Sequence, residues 1–319
     1  MSGLKIAVLD WYTVNISGDI PVSKLEELGE VKIIPFTKPE ETAANIGDAD
    51  IVLCNKVLIT REVMDACPNI KYIGLFATGY NNVDIAYAAE KGIAVCNAGQ
   101  YSTNAVAQQT FAYILDHFSR IRDYDKAVKD GEWERSPAFS YFPIPTSELA
   151  GRTLSIVGYG SIGRKVAEIG HAFGMNIVVS TRTAPKDCPY EVTDVITAAE
   201  KADVLTFHCP LTEQTKHIVS GELLSHMKSS AMLINTARGG IVNEKELADA
   251  LNTGKIAAAY LDVLDKEPMS PDTPLKTAKN CTITPHTAWA PLETRQRLIE
   301  IVCSNIRALQ NGSPTNKVN

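Results

Sequence analysis

Short runs of apolar residues alternate with helix-like segments along the chain. Five runs come first: KIAVLD, VKIIPF, DIVLCN, KYIGLF and GIAVCN. Six more begin at Thr153: TLSIVG, NIVVST, DVLTFHC, AMLINTA, AAYLDVL and CTITPH. Most of these runs are continuously apolar, which is typical of parallel strands covered by helices on both faces. The pattern predicts an α/β protein with two doubly wound parallel sheets.

Two long amphipathic segments and one proline-rich stretch bear on the division into domains. The segment TNAVAQQTFAYILDHFSRIR, from Thr103 to Arg122, is predicted to be helical, and so is the last segment, with apolar residues from Leu298 to Leu309 at helical spacing. Periodicity leaves open which sheet each helix covers. The stretch RSPAFSYFPIPTSELAGR lies between the two sets of strands. Its prolines break any helix, so composition alone places a domain boundary there.

Composition and charge exclude several classes of function. The chain has 319 residues, enough for two domains, and its 45% hydrophobic and 21% charged content is that of an ordinary globular protein. A formal net charge of -6 argues against nucleic acid or an anionic membrane as partner. The sequence shows neither a signal peptide nor an apolar run of about 18 residues, so we expect a cytoplasmic protein. Seven scattered cysteines without a C-x-x-C pair favour free thiols over disulfides or a metal site.

One predicted strand-to-helix junction carries the sequence GYGSIG. Gly158, Gly160 and Gly163 follow an apolar run and open a helical pattern. In this context the glycines allow a tight turn, close approach to a pyrophosphate and close packing of helix on strand. The helix start at Ser161 and Ile162 offers free N–H groups to the phosphates. The junction predicts a dinucleotide site; the alternative is a tight turn without a ligand.

The residues after the next predicted strand bear on which dinucleotide binds. A site that prefers NAD usually has an acid about 20 residues beyond the glycines. Here that place is taken by Thr181 and Arg182. Thr181 does not repel a 2′-phosphate, and Arg182 can pair with one. The sequence therefore favours NADP(H), with NAD(H) possible; the alternative is that Arg182 is a solvated surface residue.

Polar residues follow several of the predicted strands. Arg238, Asp262, Glu267 and His286 come after three successive runs, and His208 ends an earlier one, as a neighbour of the dinucleotide. Ligands of parallel sheets collect at the carboxyl ends of the strands. Reduction of a 2-keto acid needs a proton donor and a cation, roles that suit His286 and Arg238, and a carboxylate such as Glu267 favours a protonated imidazole. The alternatives are a salt-bridging arginine, a solvated acid and a structural histidine.

The glycine junction, NTARGG, LDVLDKEP and TPHTAWAP occur in this order, and with them the chain resembles the D-isomer-specific 2-hydroxyacid dehydrogenases along nearly its whole length. The resemblance implies that Arg238 binds the carboxylate and carbonyl of the substrate. It also implies that Glu267 pairs with His286, which passes a proton while a hydride moves between nicotinamide C4 and substrate C2. This agrees with the chemistry of the residues themselves.

The resemblance implies further contacts. Those with the cofactor are Pro210 and Thr215 along its adenosine half, Ala237 beside a ribose, Asp262 near the nicotinamide, and also Thr236 and Ala288. Those with the substrate are Thr78 and Gly79 in FATGYNNVD, Lys56, which is otherwise a surface lysine, and Trp289.

The resemblance also implies the domain organisation and a substrate. Residues 99–288 are expected to form a Rossmann dinucleotide-binding domain, and 1–98 with 289–319 a discontinuous, flavodoxin-like substrate domain. A homodimer through the cofactor domain is expected. The sequence HTAWAP resembles the glycerate dehydrogenase (hydroxypyruvate reductase) branch, which implies reduction of hydroxypyruvate to D-glycerate, with glyoxylate second. The alternatives are a D-lactate or 3-phosphoglycerate dehydrogenase and a dinucleotide-sensing, corepressor-like protein.

Overall fold

The computed structural model describes residues 3–183 and 185–319. The strands in this part of the chain are β1 (Leu4–Val8), β2 (Gly29–Ile33), β3 (Ile51–Cys54), β4 (Tyr72–Leu75), β5 (Ala94–Cys96), β6 (Thr153–Val157), β7 (Asn176–Ser180), β8 (Glu191–Thr193), β9 (Val204–Phe207), β10 (Met232–Asn235), β11 (Ala258–Leu261) and β12 (Cys281–Ile283). The α-helices are α1 (Ser23–Glu26), α2 (Thr42–Ile46), α3 (Arg61–Ala66), α4 (Ile85–Glu90), α5 (Thr103–Ser119), α6 (Ile121–Lys129), α7 (Ser161–Ala172), α8 (Val195–Lys201), α9 (Gly221–His226), α10 (Glu244–Asn252) and α11 (Leu292–Gln310).

The chain forms two compact units. One comprises Met1–Ser102 and Trp289–Asn319, and the other comprises Thr103–Ala288. The proline-rich stretch after α6 lies inside the second unit, so the boundary that composition placed there is wrong. Prolines broke the helical pattern at that point without ending the domain, because an irregular segment can remain part of one packed unit.

The first unit is built on a parallel sheet of order β2-β1-β3-β4-β5, the order of flavodoxin-like folds. All residues of β3 and β4 are buried, as continuous apolar runs require, and in β1 the buried residues are Ile6, Ala7 and Val8. The final helix, α11, belongs to this unit, because Leu298, Val302 and Ile306 pack in the same core as Ile6 and Tyr72.

The ends of the two segments of the first unit meet beside α11. The rings of Tyr101 and Trp289 are in edge-to-face contact, with centroids 6.2 Å apart. Arg297 donates a hydrogen bond to the carbonyl oxygen of Tyr101 (2.9 Å), and Arg295 donates one to that of Ala290 (2.8 Å). The helix therefore fixes both the place where the chain leaves this unit and the place where it returns.

The second unit is built on a parallel sheet of order β12-β11-β10-β9-β6-β7-β8. Counted from β6, this is the Rossmann order 3-2-1-4-5-6 with a seventh strand, and the order reverses between β6 and β9. Together with the first sheet, it confirms the predicted fold class. The edge strand β8, with the sequence EVT, was not predicted, because three mostly exposed residues carry no apolar signal.

The helix predicted from Thr103 to Arg122 is interrupted. The first part, α5, ends at Ser119, Arg120 has a left-handed backbone with φ 50°, and α6 begins at Ile121. Phe118 is buried whereas Ile121 is 65% exposed, so the apolar stripe does not continue through the break. The α5 residues Ala107, Phe111 and Ile114 pack in the core of the second unit.

Among the helices of the described residues, none has both the length and the apolar character to span a bilayer.

Candidate active site

The three glycines of the β6–α7 junction have different surroundings. Gly158 has φ 97°, and a Cβ there would lie 2.6 to 2.8 Å from backbone atoms of His208 and Cys209, at the end of β9. A Cβ on Gly163 would overlap the carbonyl oxygen of Gly158. A Cβ on Gly160, by contrast, would meet no atom of residues 3–183 or 185–319 within 4 Å. Two glycines are therefore required by the turn and its packing, whereas Gly160 leaves an open face.

That open face lies at the start of α7. The first i→i−4 hydrogen bond of this helix runs from Arg164 N to Gly160 O, so the amides of Ser161, Ile162 and Gly163 precede the helical ladder. Uncommitted amides at a helix start favour a phosphate. This junction fits the pyrophosphate of a dinucleotide.

The end of β7 adjoins this junction, because Gly158 N donates to Ser180 O at 2.8 Å. Thr181 follows, half-buried, and then Arg182, which is exposed. Arg182 forms no ion pair with any residue that the structure describes. Its guanidinium is therefore available to a ligand.

His286 and Glu267 form a hydrogen-bonded pair. His286 Nδ1 lies 2.7 Å from Glu267 Oε2, and the other carboxylate oxygen, Oε1, accepts from Leu264 N at 3.1 Å. His286 has a left-handed backbone, with φ 54°, and its N–H donates to the carbonyl oxygen of Asp262 at 2.8 Å. Because Glu267 holds Nδ1, the ring nitrogen left for proton exchange is Nε2.

The buried carboxylate of Asp262 organises the segment that carries His286. It accepts hydrogen bonds from the hydroxyl of Thr284 and from the amides of Thr287 (2.8 Å) and Ala288 (2.9 Å). Asp262 itself is 2% exposed. It therefore positions His286 through contacts with residues that precede and follow it in the chain.

Arg238 lies in a turn that two neighbours shape. The Asn235 side chain, fully buried, donates to Arg238 O (2.8 Å) and accepts from Ala237 N (3.0 Å). A Cβ on Gly239 would overlap the carbonyl group of Leu264, so this turn packs directly on the segment that leads to Glu267. The Arg238 side chain is exposed, and one guanidinium nitrogen donates to Ala237 O at 2.7 Å. The roles of Asn235 and Gly239 were not predicted.

Three adjacent strands bring these side chains to one edge of the sheet. In the parallel register, Asn235 of β10 pairs with Leu261 of β11, which pairs with Ile283 of β12. Arg238, Asp262 and His286 follow these strand ends within three residues. The structure therefore gathers a guanidinium, an imidazole and two carboxylates at the carboxyl edge, where ligands of such sheets bind.

His208 lies at the end of β9, beside Gly158. Its Nε2 is 3.0 Å from the hydroxyl of Thr206, and its Nδ1 is 3.4 Å from that of Thr236. Burial lowers the pKa of His208 to about 3, so the ring is neutral and cannot serve as an acid near neutral pH. Thr236 is thus turned toward His208.

The loop after β9 is closed on itself by threonine hydroxyls. Thr215 Oγ1 donates to Pro210 O at 2.7 Å and accepts from Thr212 N at 2.8 Å. These hydrogen bonds fix the shape of the loop that is predicted to line the adenosine half of the cofactor.

The predicted substrate residues Lys56, Thr78, Gly79 and Trp289 belong to the first unit. Thr78 Oγ1 donates to Gly99 O at 2.6 Å, and Asn97 Nδ2 donates to Thr78 O at 2.8 Å. The half-buried Gly79 follows, in the bend after β4.

Lys56 is exposed at the carboxyl end of β3, in a loop held by a buried aspartate that the sequence analysis missed. Asp10 is 3% exposed and accepts from the amides of Asn55 (2.8 Å) and Lys56 (2.7 Å). Burial raises the pKa of Asp10, and these amide donors oppose the rise. Asp10 holds its loop as Asp262 holds the His286 segment.

The Rossmann sheet, the glycine junction and the imidazole–carboxylate pair at the strand ends define a dinucleotide-dependent oxidoreductase. A family model described as "D-isomer specific 2-hydroxyacid dehydrogenase, NAD binding domain" matches residues 111–288. The chain belongs to the D-isomer-specific 2-hydroxyacid dehydrogenase family. Its second unit binds a nicotinamide dinucleotide, and its substrates are small 2-hydroxy or 2-keto acids.

Known proteins are similar to this chain over most of its length. A hydroxypyruvate reductase of Blautia hydrogenotrophica is 41% identical over 99% of this chain and 100% of its own length. A glycerate dehydrogenase of Methylorubrum extorquens is 38% identical over 88% of each chain. The crystal structure of an NADPH-dependent glyoxylate/hydroxypyruvate reductase from Sinorhizobium meliloti, with NADP and malonate, has a TM-score of 0.85 and 30% identity, and covers 99% of this chain and 97% of that one.

Proposed function

We propose that the protein is a hydroxypyruvate reductase that uses NADPH in preference to NADH, forms D-glycerate and accepts glyoxylate as a second substrate. The observation that carries the proposal is the His286–Glu267 pair at the same strand edge as Arg238, in a chain of this family. Similarity to proteins named hydroxypyruvate reductase and glyoxylate reductase supports the substrate. The uncommitted Arg182 supports the cofactor.

In the proposed mechanism, the reduced nicotinamide supplies a hydride when the cofactor is bound. The Arg238 guanidinium binds the carboxylate and carbonyl oxygen of the 2-keto acid and stabilises the charge that develops on that oxygen. His286 Nε2 donates a proton to the same oxygen, and the Glu267 carboxylate stabilises the imidazolium from Nδ1. Asp262 holds the histidine segment in place through the amides of Thr287 and Ala288.

The remaining contacts in the proposal follow the same division of labour. The cofactor lies along the glycine junction, with its adenosine half beside Pro210 and Thr215 and its nicotinamide half toward Ala237 and Ala288. The first unit serves as the substrate domain. Its residues Lys56, Thr78 and Gly79 bind the substrate, and Trp289 provides an aromatic wall.

We also propose a homodimer through the second unit. The proline-rich stretch after α6 carries Phe139, which is 94% exposed, and Phe142, which is 79% exposed. Large aromatic side chains with such exposure are typical of interfaces. A second copy of this chain is the partner that the family resemblance favours.

The first experiment measures kcat/KM for hydroxypyruvate, glyoxylate, pyruvate and 3-phosphohydroxypyruvate with NADPH and with NADH. We expect the highest value for hydroxypyruvate with NADPH. The Arg182→Ala variant should lower kcat/KM for NADPH by about 10- to 100-fold, the worth of one charge-assisted contact, and change that for NADH by less than about twofold.

Lys186→Ala, which removes another exposed cation of the same loop, is the matched control and should change neither value. An unchanged NADPH/NADH ratio in Arg182→Ala contradicts the NADPH preference. Tight cofactor binding with negligible turnover on all four acids contradicts the enzymatic proposal and favours a dinucleotide sensor.

A further inference from the structure

The loop between β7 and β8 is attached to the glycine junction by an ion pair. Arg164, in the first turns of α7, donates from Nη1 to Asp187 Oδ2 at 3.2 Å and from Nη2 to Asp187 Oδ1 at 3.1 Å. Each nitrogen of the fork meets one oxygen of the carboxylate, the geometry that arginine provides and lysine does not. Arg182 lies in the same loop, five positions before Asp187.

The same guanidinium also contacts the junction itself. Its central carbon is 4.7 Å from the ring centroid of Tyr159, the residue between Gly158 and Gly160. Tyr159 is 8% exposed, and its ring meets that of Tyr190 edge-on, with centroids 6.3 Å apart. Arg164 therefore lies between an aromatic ring of the glycine junction and the carboxylate of the loop. The loop is held at Asp187 and Tyr190, beyond Arg182.

Stability gives little reason for this pair. The side chains of Arg164 and Asp187 are 40% and 74% exposed, and exposed ion pairs add about 0–1 kcal/mol to the free energy of unfolding. The pair has a second consequence, because it neutralises an anion that would otherwise repel a nearby phosphate. Arg164 keeps the pKa of Asp187 below its usual value, and an exposed aspartate is charged at neutral pH even without such a partner. Without Arg164, the loop would present an unpaired anion within a few residues of Arg182, and a 2′-phosphate would be repelled.

We propose that the Arg164–Asp187 pair is a second determinant of cofactor selectivity. Arg164 neutralises Asp187 and holds the loop so that Arg182 can meet the 2′-phosphate of NADPH. Both residues are positioning residues that act through the loop. The inference rests on the proposed NADPH preference, which Arg182 carries.

The test is a double-mutant cycle on cofactor affinity without substrate. Dissociation constants for NADPH and NADH are measured by fluorescence titration for the wild type, Arg164→Gln, Asp187→Asn and the double variant. Arg164→Gln should weaken NADPH binding by about fivefold or more, as expected for coupled neighbours, and NADH binding by less than about twofold. Asp187→Asn should leave NADPH binding within about twofold, and the double variant should recover most of the loss.

A neighbouring ion pair on the same helix provides the matched control. Lys165 and Glu168 are 2.8 Å apart and similarly exposed, so Lys165→Gln should change neither dissociation constant. Equal thermal unfolding midpoints show that each variant is folded. The inference is wrong if Arg164→Gln weakens both cofactors equally, has no effect, or is not rescued by Asp187→Asn.

Arg182→Ala is titrated alongside to separate this inference from the proposed function. If Arg182→Ala loses NADPH selectivity and the Arg164 variant keeps it, only the role of the ion pair is refuted. If Arg182→Ala keeps its selectivity, the NADPH preference fails and the inference fails with it.

Discussion

The two carboxylate oxygens of Glu267 meet different groups. Oε1 receives the amide of Leu264, which fixes the side chain, while Oε2 is left for His286 Nδ1. A carboxylate on Nδ1 selects the tautomer with a proton there and stabilises the imidazolium once Nε2 is also protonated. The pair is therefore suited to return a proton repeatedly to one atom, Nε2.

Replacing Glu267 with Gln tests this role through turnover. The amide keeps the shape and a hydrogen bond to Nδ1 but loses the negative charge that supports proton transfer from Nε2. The kcat for hydroxypyruvate should therefore fall by about 10-fold, which corresponds to about 1.4 kcal/mol. The measurement is kcat for hydroxypyruvate, with the NADPH dissociation constant as the readout for an intact cofactor site.

His286→Ala sets the limit for the same series. It should retain NADPH binding and lose turnover by about 10²–10⁴-fold at every pH, the range for a general acid. A kcat of Glu267→Gln equal to that of the wild type contradicts the proposed pairing.

At this scale, sequence reasoning proposed side chains with an evident chemical use and missed others that shape the backbone around them. Arg238, Glu267 and His286 follow strand ends, a place where polar residues have an evident use. Asn235 and Asp10 were missed because their work is to bind backbone amides and carbonyls, partners that become visible only when the chain is folded.

Among the elements, the β6–α7 junction shows how one motif combines structural and binding requirements. Gly158 and Gly163 have no room for a side chain, whereas Gly160 has room and adjoins the free amides of α7. The sequence predicted this junction correctly because glycine spacing and strand-to-helix order are local features. It could not predict the break at Arg120 or the strand β8, since both depend on which residues the rest of the unit buries.

Alanine substitutions at the first two glycines should affect different properties, the stability of the fold in one case and cofactor binding in the other. Gly158→Ala combines a strained φ of 97° with contacts below 3 Å to backbone, so the free energy of unfolding should fall by about 2–5 kcal/mol. Gly160 has φ -80°, which alanine adopts readily, so Gly160→Ala should change the free energy of unfolding by less than about 1 kcal/mol. The same substitution should weaken the binding of both NADPH and NADH.

Denaturant unfolding and cofactor titration of the two variants provide the measurements. The variants serve as controls for each other, because they add the same methyl group two residues apart. Unchanged binding of both cofactors in Gly160→Ala would show that the open face is not where the pyrophosphate lies.

At the scale of the whole molecule, local composition was a poor guide to where one unit ends and the next begins. Prolines suggested a boundary inside the second unit, because they interrupt a helical pattern in the same way at the end of a domain and in an irregular stretch within one. The two sheets followed from their apolar runs, but periodicity left open which sheet α11 covers, because its Leu298 shares a core with Ile6, a residue almost the whole chain away in sequence.

The exposed aromatic residues of the proline-rich stretch after α6 lead to a prediction about the oligomeric state. Phe139→Asp combined with Phe142→Asp should convert a dimer into a monomer, because two charges in place of aromatic rings are costly to bury in an interface. Molar mass from light scattering after size-exclusion chromatography measures this. Phe36→Asp, at a ring 60% exposed in the first unit, is the control and should remain dimeric. A monomeric wild type, or a dimeric double variant, contradicts the proposal.

The contact between Tyr101 and Trp289 has a consequence for how such a protein can change over time. Because α11 holds Tyr101 and Trp289 next to each other, the second unit is an insertion whose two connections to the first unit lie side by side. A gene segment encoding residues 103–288 carries the glycine junction together with Arg238, Glu267 and His286, so its exchange would transfer all of these residues at once through two neighbouring points of the chain.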